Sequence, residues 1–236
     1  MNYLIVCNMR TGSSYLGELI ERQGLPYWNE LFTAEICRRR GIWPPDLDDA
    51  VSDCVLDRAY SVPGAGFKLV YGQATPKVWA RLALVPGLRV IHIIRETLLE
   101  QYASVRYLET AGVSMAREDS GAVVCYGTDG AAVEAPGDLR LDDGVDRFLA
   151  WRNAAVTWRM RAYWLFSHLP YLEIHMEDVF TDEGRARVCG FLGLRYDPSR
   201  LPDHVPTPRP CARELFSRYA EMRMADERTS LEDSAY

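Results

Sequence analysis

The chain has 236 residues, enough for one large domain with a sizeable core, and its 48% apolar and 25% charged content is that of an ordinary globular protein. A net charge of −6 gives no electrostatic reason to expect nucleic acid or an anionic membrane as partner, so any bound anion must be held by a local cluster of donors. Six scattered cysteines (Cys7, Cys37, Cys54, Cys125, Cys189, Cys211) form no CxxC pair and no Cys/His cluster. This spacing argues against structural zinc and points to a reducing compartment.

The first apolar run, residues 4–7 (LIVC), reads as a buried strand and not as a signal peptide, because no basic leader precedes it and it breaks at Asn8. No run of about 18 apolar residues follows anywhere, so no membrane span is expected and a cytoplasmic protein is the default. Residues 8–12 form a tight turn. An amphipathic helix follows, with Tyr15, Leu16, Leu19 and Ile20 on one side and Glu18, Glu21 and Arg22 on the other. Ser13 or Ser14 can cap that helix, and Gly24 followed by Pro26 can stop it. A Gly-containing turn between strand and helix aims backbone N–H groups at one point, and the helix dipole adds to them. With Arg10 beside it, the turn reads as a phosphate-binding loop.

Residues 25–28 are a short extended segment ending at Asn29-Glu30, and 31–40 look helical. Residues 41–53 mix two prolines with acids and read as a loop entering a short helix. Residues 66–71 (GFKLVY) are a second core strand, and Pro76 starts a helix with Val78, Trp79, Leu82 and Ala83 inward. Residues 88–94 (LRVIHII) are the strongest buried strand; Arg95 ends it and 97–107 form the next helix. Residues 112–144, rich in Gly, Ala and Asp with a turn signal at Thr128-Asp129-Gly130, read as a hairpin or a mobile loop inserted into the domain. A long helix over 145–167, a last strand over 171–175 and an amphipathic helix over 181–192 follow. A Pro-rich connector (198–210) leads to a final helix near 213–224. Nearly uniform apolar strands alternating with helices predict an α/β fold, a parallel sheet covered on both faces. No internal repeat is visible, and one domain over 1–236 is the economical reading.

Common phosphate-loop chemistries fail at residues 7–14. No lysine follows Gly12, as GxxxxGK[ST] demands, and GxGxxG is absent. Cys7 lies inside the strand, too close to Arg10 for a thiolate loop that wraps an anion. What remains is a short Arg-Thr-Gly-Ser-Ser turn.

That turn, MRTGSSYL, resembles the 5′-phosphosulfate loop of sulfotransferases, with Met9 in place of the usual proline. The segment IIRETLLEQYAS (93–104) resembles the 3′-phosphate signature of the same family: an arginine at a strand end, a helix start, and a serine nine positions on, with Thr97 where Asn is common. Independently of any family, Arg95 leaves a core strand next to a helix N-terminus, which suits it to clamp a phosphate. Asn29-Glu30-Leu31-Phe32 resembles the family's acidic motif. The run 66–73 resembles a Gly-Phe-Lys strand of bacterial carbohydrate and nodulation-type sulfotransferases. Residues 174–179 with 191–194 resemble its closing motif.

The resemblance covers roughly residues 3–195 in pieces. It implies a three-layer, P-loop nucleotide-kinase-like sulfotransferase fold and transfer of a sulfuryl group from 3′-phosphoadenosine-5′-phosphosulfate (PAPS, leaving the 3′,5′-bisphosphate PAP) to an acceptor hydroxyl, with no metal. It places Arg10, Thr11, Gly12, Ser13 and Ser14 on the 5′-phosphosulfate, and Arg95 and Ser104 on the 3′-phosphate. Glu30 is the candidate base: if the first strand and the strand before Glu30 are neighbours in a parallel sheet, their carboxyl ends share one edge. Lys68, inside an apolar strand, needs either a structural carboxylate or a reacting oxygen as partner. His92 reads as a satisfied core histidine, and Trp151, Trp158 and Trp164 as core or interface. The implied acceptor is a small-molecule hydroxyl of a carbohydrate, glycolipid or natural product, and a homodimer is left open. The competing classes are a small-molecule kinase-like nucleotide enzyme and a non-catalytic nucleotide-binding module.

Overall fold

A computed structural model describes residues 1–32, 56–57, 59–111, 114–117, 123–126, 132–133, 140–202 and 211–233. The chain is α/β. In order, its elements begin with β1 (Tyr3–Cys7), α1 (Ser13–Arg22), β2 (Gly66–Val70), α2 (Pro76–Leu82), β3 (Arg89–Ile94) and α3 (Leu98–Ala111). Next come β4 (Ser114–Arg117), β5 (Val123–Tyr126), β6 (Ala132–Val133), α4 (Val145–Phe166) and β7 (Tyr171–His175). The chain closes with α5 (Met176–Val179), α6 (Asp182–Phe191), α7 (Ala212–Leu215) and α8 (Tyr219–Asp233). These elements form two compact units, Met1–Arg95 with Thr157–Pro202, and Glu96–Val156 with Asp203–Tyr236.

The first unit is built on a four-stranded sheet in the order β2-β1-β3-β7, parallel throughout. β1, β2 and β3 are buried on both sides, whereas the edge strand β7 (YLEIH) alternates between buried and half-buried residues. Tyr3, Ile5, Cys7, Ile91 and Ile93 meet Leu16, Leu19 and Ile20 of α1 and Val188 and Leu192 from the α6 region. Leu4, Val6, Phe67, Leu69 and Val90 meet Val78, Trp79 and Leu82 of α2 and Ala162 and Phe166 of α4. The arrangement is compatible with a three-layer α/β architecture. Helix starts follow their chemistry: Thr75 accepts from the Val78 N–H ahead of Pro76, and Thr181 accepts from the Gly184 N–H at 3.0 Å.

Three expectations change. Neither Ser13 nor Ser14 caps α1: the cap is Gly12, at φ +73°, and the serines occupy the first helical turn. The segment before Glu30 is not a neighbour of β1. It lies along the outer side of β2, with Tyr27 bridged in parallel to Gly66, Trp28 N–H donating to Gly66 O at 2.9 Å and Lys68 N–H to Asn29 O at 2.9 Å. The apolar strand 66–70 takes the place beside β1 because it can be buried on both faces, whereas the segment holding Pro26 and Asn29 suits an edge. Finally, the closing helix is broken. Phe216, buried and extended, bridges to Leu141 between α7 and α8, so the backbone there bonds Leu141 instead of continuing the helix.

In the second unit, Leu99, Tyr102, Ala103, Phe148, Leu215, Phe216 and Met222 form the core. Buried Asp143 accepts from the Tyr102 hydroxyl and the Arg106 Nε, both at 2.7 Å, and buried Arg152 pairs with Asp226 at 2.8 Å. Within 112–144, β4, β5 and β6 pair antiparallel. The turn signal at 128–130, the helix expected over 33–40, the loop 41–53 and most of the Pro-rich connector lie outside the described residues, as do the side chains of Cys37, Cys54 and Cys125.

Candidate functional site

β1 and β2 are neighbours whose chains leave to opposite faces, into α1 and α2. That is where an open parallel sheet offers a binding crevice, at the carboxyl ends of its strands. The turn after β1 crosses this edge. Thr11 is buried and its hydroxyl donates to Asn8 O at 3.0 Å, while Asn8 Oδ1 accepts from Met9 N–H at 2.8 Å, so the turn is tied to itself. Gly12 needs both its left-handed backbone and its bareness, because a Cβ there would come within 3.1 Å of the Phe180 ring. Among the described residues no side chain caps α1, which leaves its first-turn N–H groups facing the edge.

Among the described residues, two that are not glycine have positive φ, Arg10 (63°) and Asn29 (58°). Asparagine tolerates that region; an arginine there costs about 1 kcal/mol or more and is held by its surroundings. One of those is Arg95. This buried arginine, one residue beyond β3, donates from Nη1 to the Arg10 carbonyl at 3.3 Å. The cation expected to clamp one phosphate is therefore fastened to the turn expected to hold the other.

Lys68 joins the remaining pieces. In register with Ile5, it points to the face carrying α1, and only 4% of its side chain is exposed. Its ammonium donates to Ser14 Oγ at 2.9 Å and meets Glu30 Oε1 at 2.6 Å. So the partner that burial demands is Glu30 itself, and one buried cation ties the first turn of α1 to the candidate base. Glu30 arrives from the segment outside β2 after Asn29 turns the chain, and its carboxylate keeps 27% exposure. Its second oxygen accepts from Gln73 Nε2 at 2.6 Å, and Gln73 Oε1 in turn accepts from the Val70 N–H at 3.1 Å.

Arg10, Thr11, Gly12, Ser13, Ser14, Glu30, Lys68 and Arg95 all belong to the first unit. Ser104 belongs to the second, buried on α3. Gln73 closes the run 66–73, and the sequence gives it no role of its own. Its only signal there is a position just past a core strand and behind a glycine, at φ +78° in Gly72, a common turn pattern. Burial pushes the Cys7 thiol up, against the pull of Lys68 and of the Ser13 and Thr11 hydroxyls, which disfavours the thiolate. His92 is a core residue: its two ring nitrogens meet the hydroxyls of Tyr71 and Tyr171. Trp158 packs with Trp79 and Tyr71, and Trp151 with Tyr102, while Trp164 is exposed.

Among the described residues, no group of three or more His, Cys, Asp and Glu could hold a metal ion, and no helix is long and apolar enough to cross a membrane. No family model matches the chain, and no curated protein matches it.

Proposed function

We propose that this chain is a sulfotransferase of the P-loop-like, PAPS-dependent kind that its motifs resemble, acting on the hydroxyl of a small carbohydrate, glycolipid or natural product. The observation that carries the reading is the Ser14–Lys68–Glu30 chain, which links an anion-binding turn to a carboxylate through one buried cation. A turn of this kind alone is only an anion site. A carboxylate held beside it supplies the second thing a transfer to a hydroxyl needs.

The donor supplies an activated sulfuryl group on a phosphate leaving group. The first-turn N–H groups of α1 and Arg10 hold that phosphate end, and Arg95 faces the 3′-phosphate. The acceptor oxygen bonds to sulfur as the bond from sulfur to the 5′-phosphate oxygen breaks. The hydroxyl proton passes to Glu30, and the negative charge leaves on the phosphate, where Lys68 and Arg10 stabilise it. Lys68 thus has two partners to serve, the carboxylate at rest and the phosphate during transfer.

The test is transfer of labelled sulfate from PAPS into the small molecules of a cell extract, with wild type beside Glu30→Gln. Glutamine can still bond Lys68 but accepts no proton, so label incorporation should fall about 100-fold or more with PAP binding retained. Equal incorporation by the variant removes Glu30 from the chemistry. Label passing instead from ATP would favour the kinase reading, and label passing from neither donor would favour the non-catalytic module.

A further inference from the structure

We propose that Gln73 is the positioning residue of this site, holding Glu30 in aim when Lys68 turns to the departing phosphate. The inference rests on the sulfuryl-transfer reading above and adds to it a residue that its motifs do not assign.

A carboxylate acting as base must keep one oxygen directed at the incoming hydroxyl while its neighbours change. Glu30 stands on a segment that bonds the outer side of β2 and follows a residue in the left-handed region, so the aim of its carboxylate is set by the side chains that meet it as well as by its backbone. Its two oxygens are each met by a donor at 2.6 Å, Lys68 on one and Gln73 on the other. The two donors differ in freedom. Lys68 has four methylenes and a competing anion to approach. The Gln73 amide is locked, because its oxygen is committed to the Val70 N–H at the end of β2. That commitment also fixes which way the amide faces: with Oε1 on a backbone donor, Nε2 can only present N–H to Glu30. The turn below it is equally specific. Gly72 takes φ +78° and the Gln73 N–H returns to Val70 O at 3.1 Å, so backbone and side chain of Gln73 both grip the same residue.

When Lys68 leaves Glu30, Oε2 stays on a rigid donor while Oε1 gives up the ammonium. Oε1 is the oxygen that faced Lys68, on the side of Ser14 and the turn after β1. It points where an acceptor hydroxyl must lie to reach the sulfuryl group. Gln73 contributes direction and no charge, which leaves the carboxylate able to take a proton.

The test compares wild type, Gln73→Met, Gln73→Glu and Glu30→Gln in the labelled transfer assay, with PAP affinity measured by calorimetry. Gln73→Met removes the donor and adds no charge. Gln73→Glu keeps an acceptor for the Val70 N–H, and so the turn, but offers Glu30 an oxygen where it had a donor. Both variants should transfer label about 10- to 100-fold more slowly while PAP affinity stays within about 2-fold. Adding either change to Glu30→Gln should cost little more, because the residue being aimed is already disabled. A merely structural glutamine would lower PAP affinity together with rate, or cost the same in both backgrounds, and either result overturns the proposal. So does transfer within about 2-fold of wild type by Gln73→Glu, which leaves the sulfotransferase reading standing. Absence of label from wild type sinks both.

Discussion

His92 shows how a titratable residue is made safe inside a sheet. It lies on β3 with no exposed surface, and burial, reinforced by the Arg159 charge, lowers its pKa from the ordinary 6.5 to about 3. The ring is therefore neutral, with one nitrogen donating and the other accepting, which matches two hydroxyl partners, Tyr71 and Tyr171. A depressed histidine pKa means that the unfolded chain binds a proton between pH 3 and 6.5 that the folded chain refuses. This contribution to stability is complete above about pH 6.5 and is lost steadily as pH falls toward 3. Between pH 7.5 and 5 it should remove roughly 2 kcal/mol, visible as a lower urea midpoint. His92→Gln should start less stable and flatten that part of the pH dependence. An unchanged slope would mean that the histidine is solvated.

At the scale of elements, the candidate base depends on how a helix and an edge segment touch. Gly17 sits in the middle of α1, where a Cβ would fall 2.0 Å from the Tyr27 ring, and Tyr27 is the residue bridged to Gly66 of β2. The glycine lets α1 lie directly on the segment that carries Asn29 and Glu30. In an open helix position Gly→Ala gains about 1 kcal/mol. Here the sign should reverse, with Gly17→Ala losing about 2–3 kcal/mol through forced displacement of the ring. Urea unfolding measures it, and a stabilised variant would show that Tyr27 has room to move. Label transfer should fall as well, since the displaced segment is the one that presents Glu30.

For the whole molecule, net charge and local charge point in opposite directions. The chain carries −6 overall, yet Arg10, Lys68 and Arg95 gather at one sheet edge of the first unit. A doubly phosphorylated nucleotide that binds only the folded state stabilises it by mass action, about 2.7 kcal/mol at a hundredfold excess over Kd. PAP should therefore raise the melting temperature by several degrees, and adenosine 5′-phosphate by less. In Arg95→Ala the difference between the two ligands should shrink, whatever the variant's own stability. A difference as large as in wild type would place the 3′-phosphate elsewhere.

What the amino-acid sequence determined by itself is local and periodic. Residues 4–7 are a continuous apolar run and 88–94 is nearly one, the pattern of strands buried on both faces, while 171–175 (YLEIH) alternates as an edge strand does; an α/β chain with a parallel sheet follows from their alternation with helices. The turn proposed to hold the anion and the two arginines are legible for the same reason, since a strand end, a glycine and a helix start are neighbours in the chain. Only the tertiary structure decided the pairings. Whether β1 lies beside residues 25–28 or beside 66–70 depends on which segment tolerates burial on both faces, a comparison between parts about forty residues apart. The same pairing settles that Lys68 meets Glu30 and Ser14, and that an unremarkable Gln73 closes on the carboxylate. Such contacts leave no periodic trace, because a hydrogen bond between distant residues fixes neither spacing nor hydropathy along the chain.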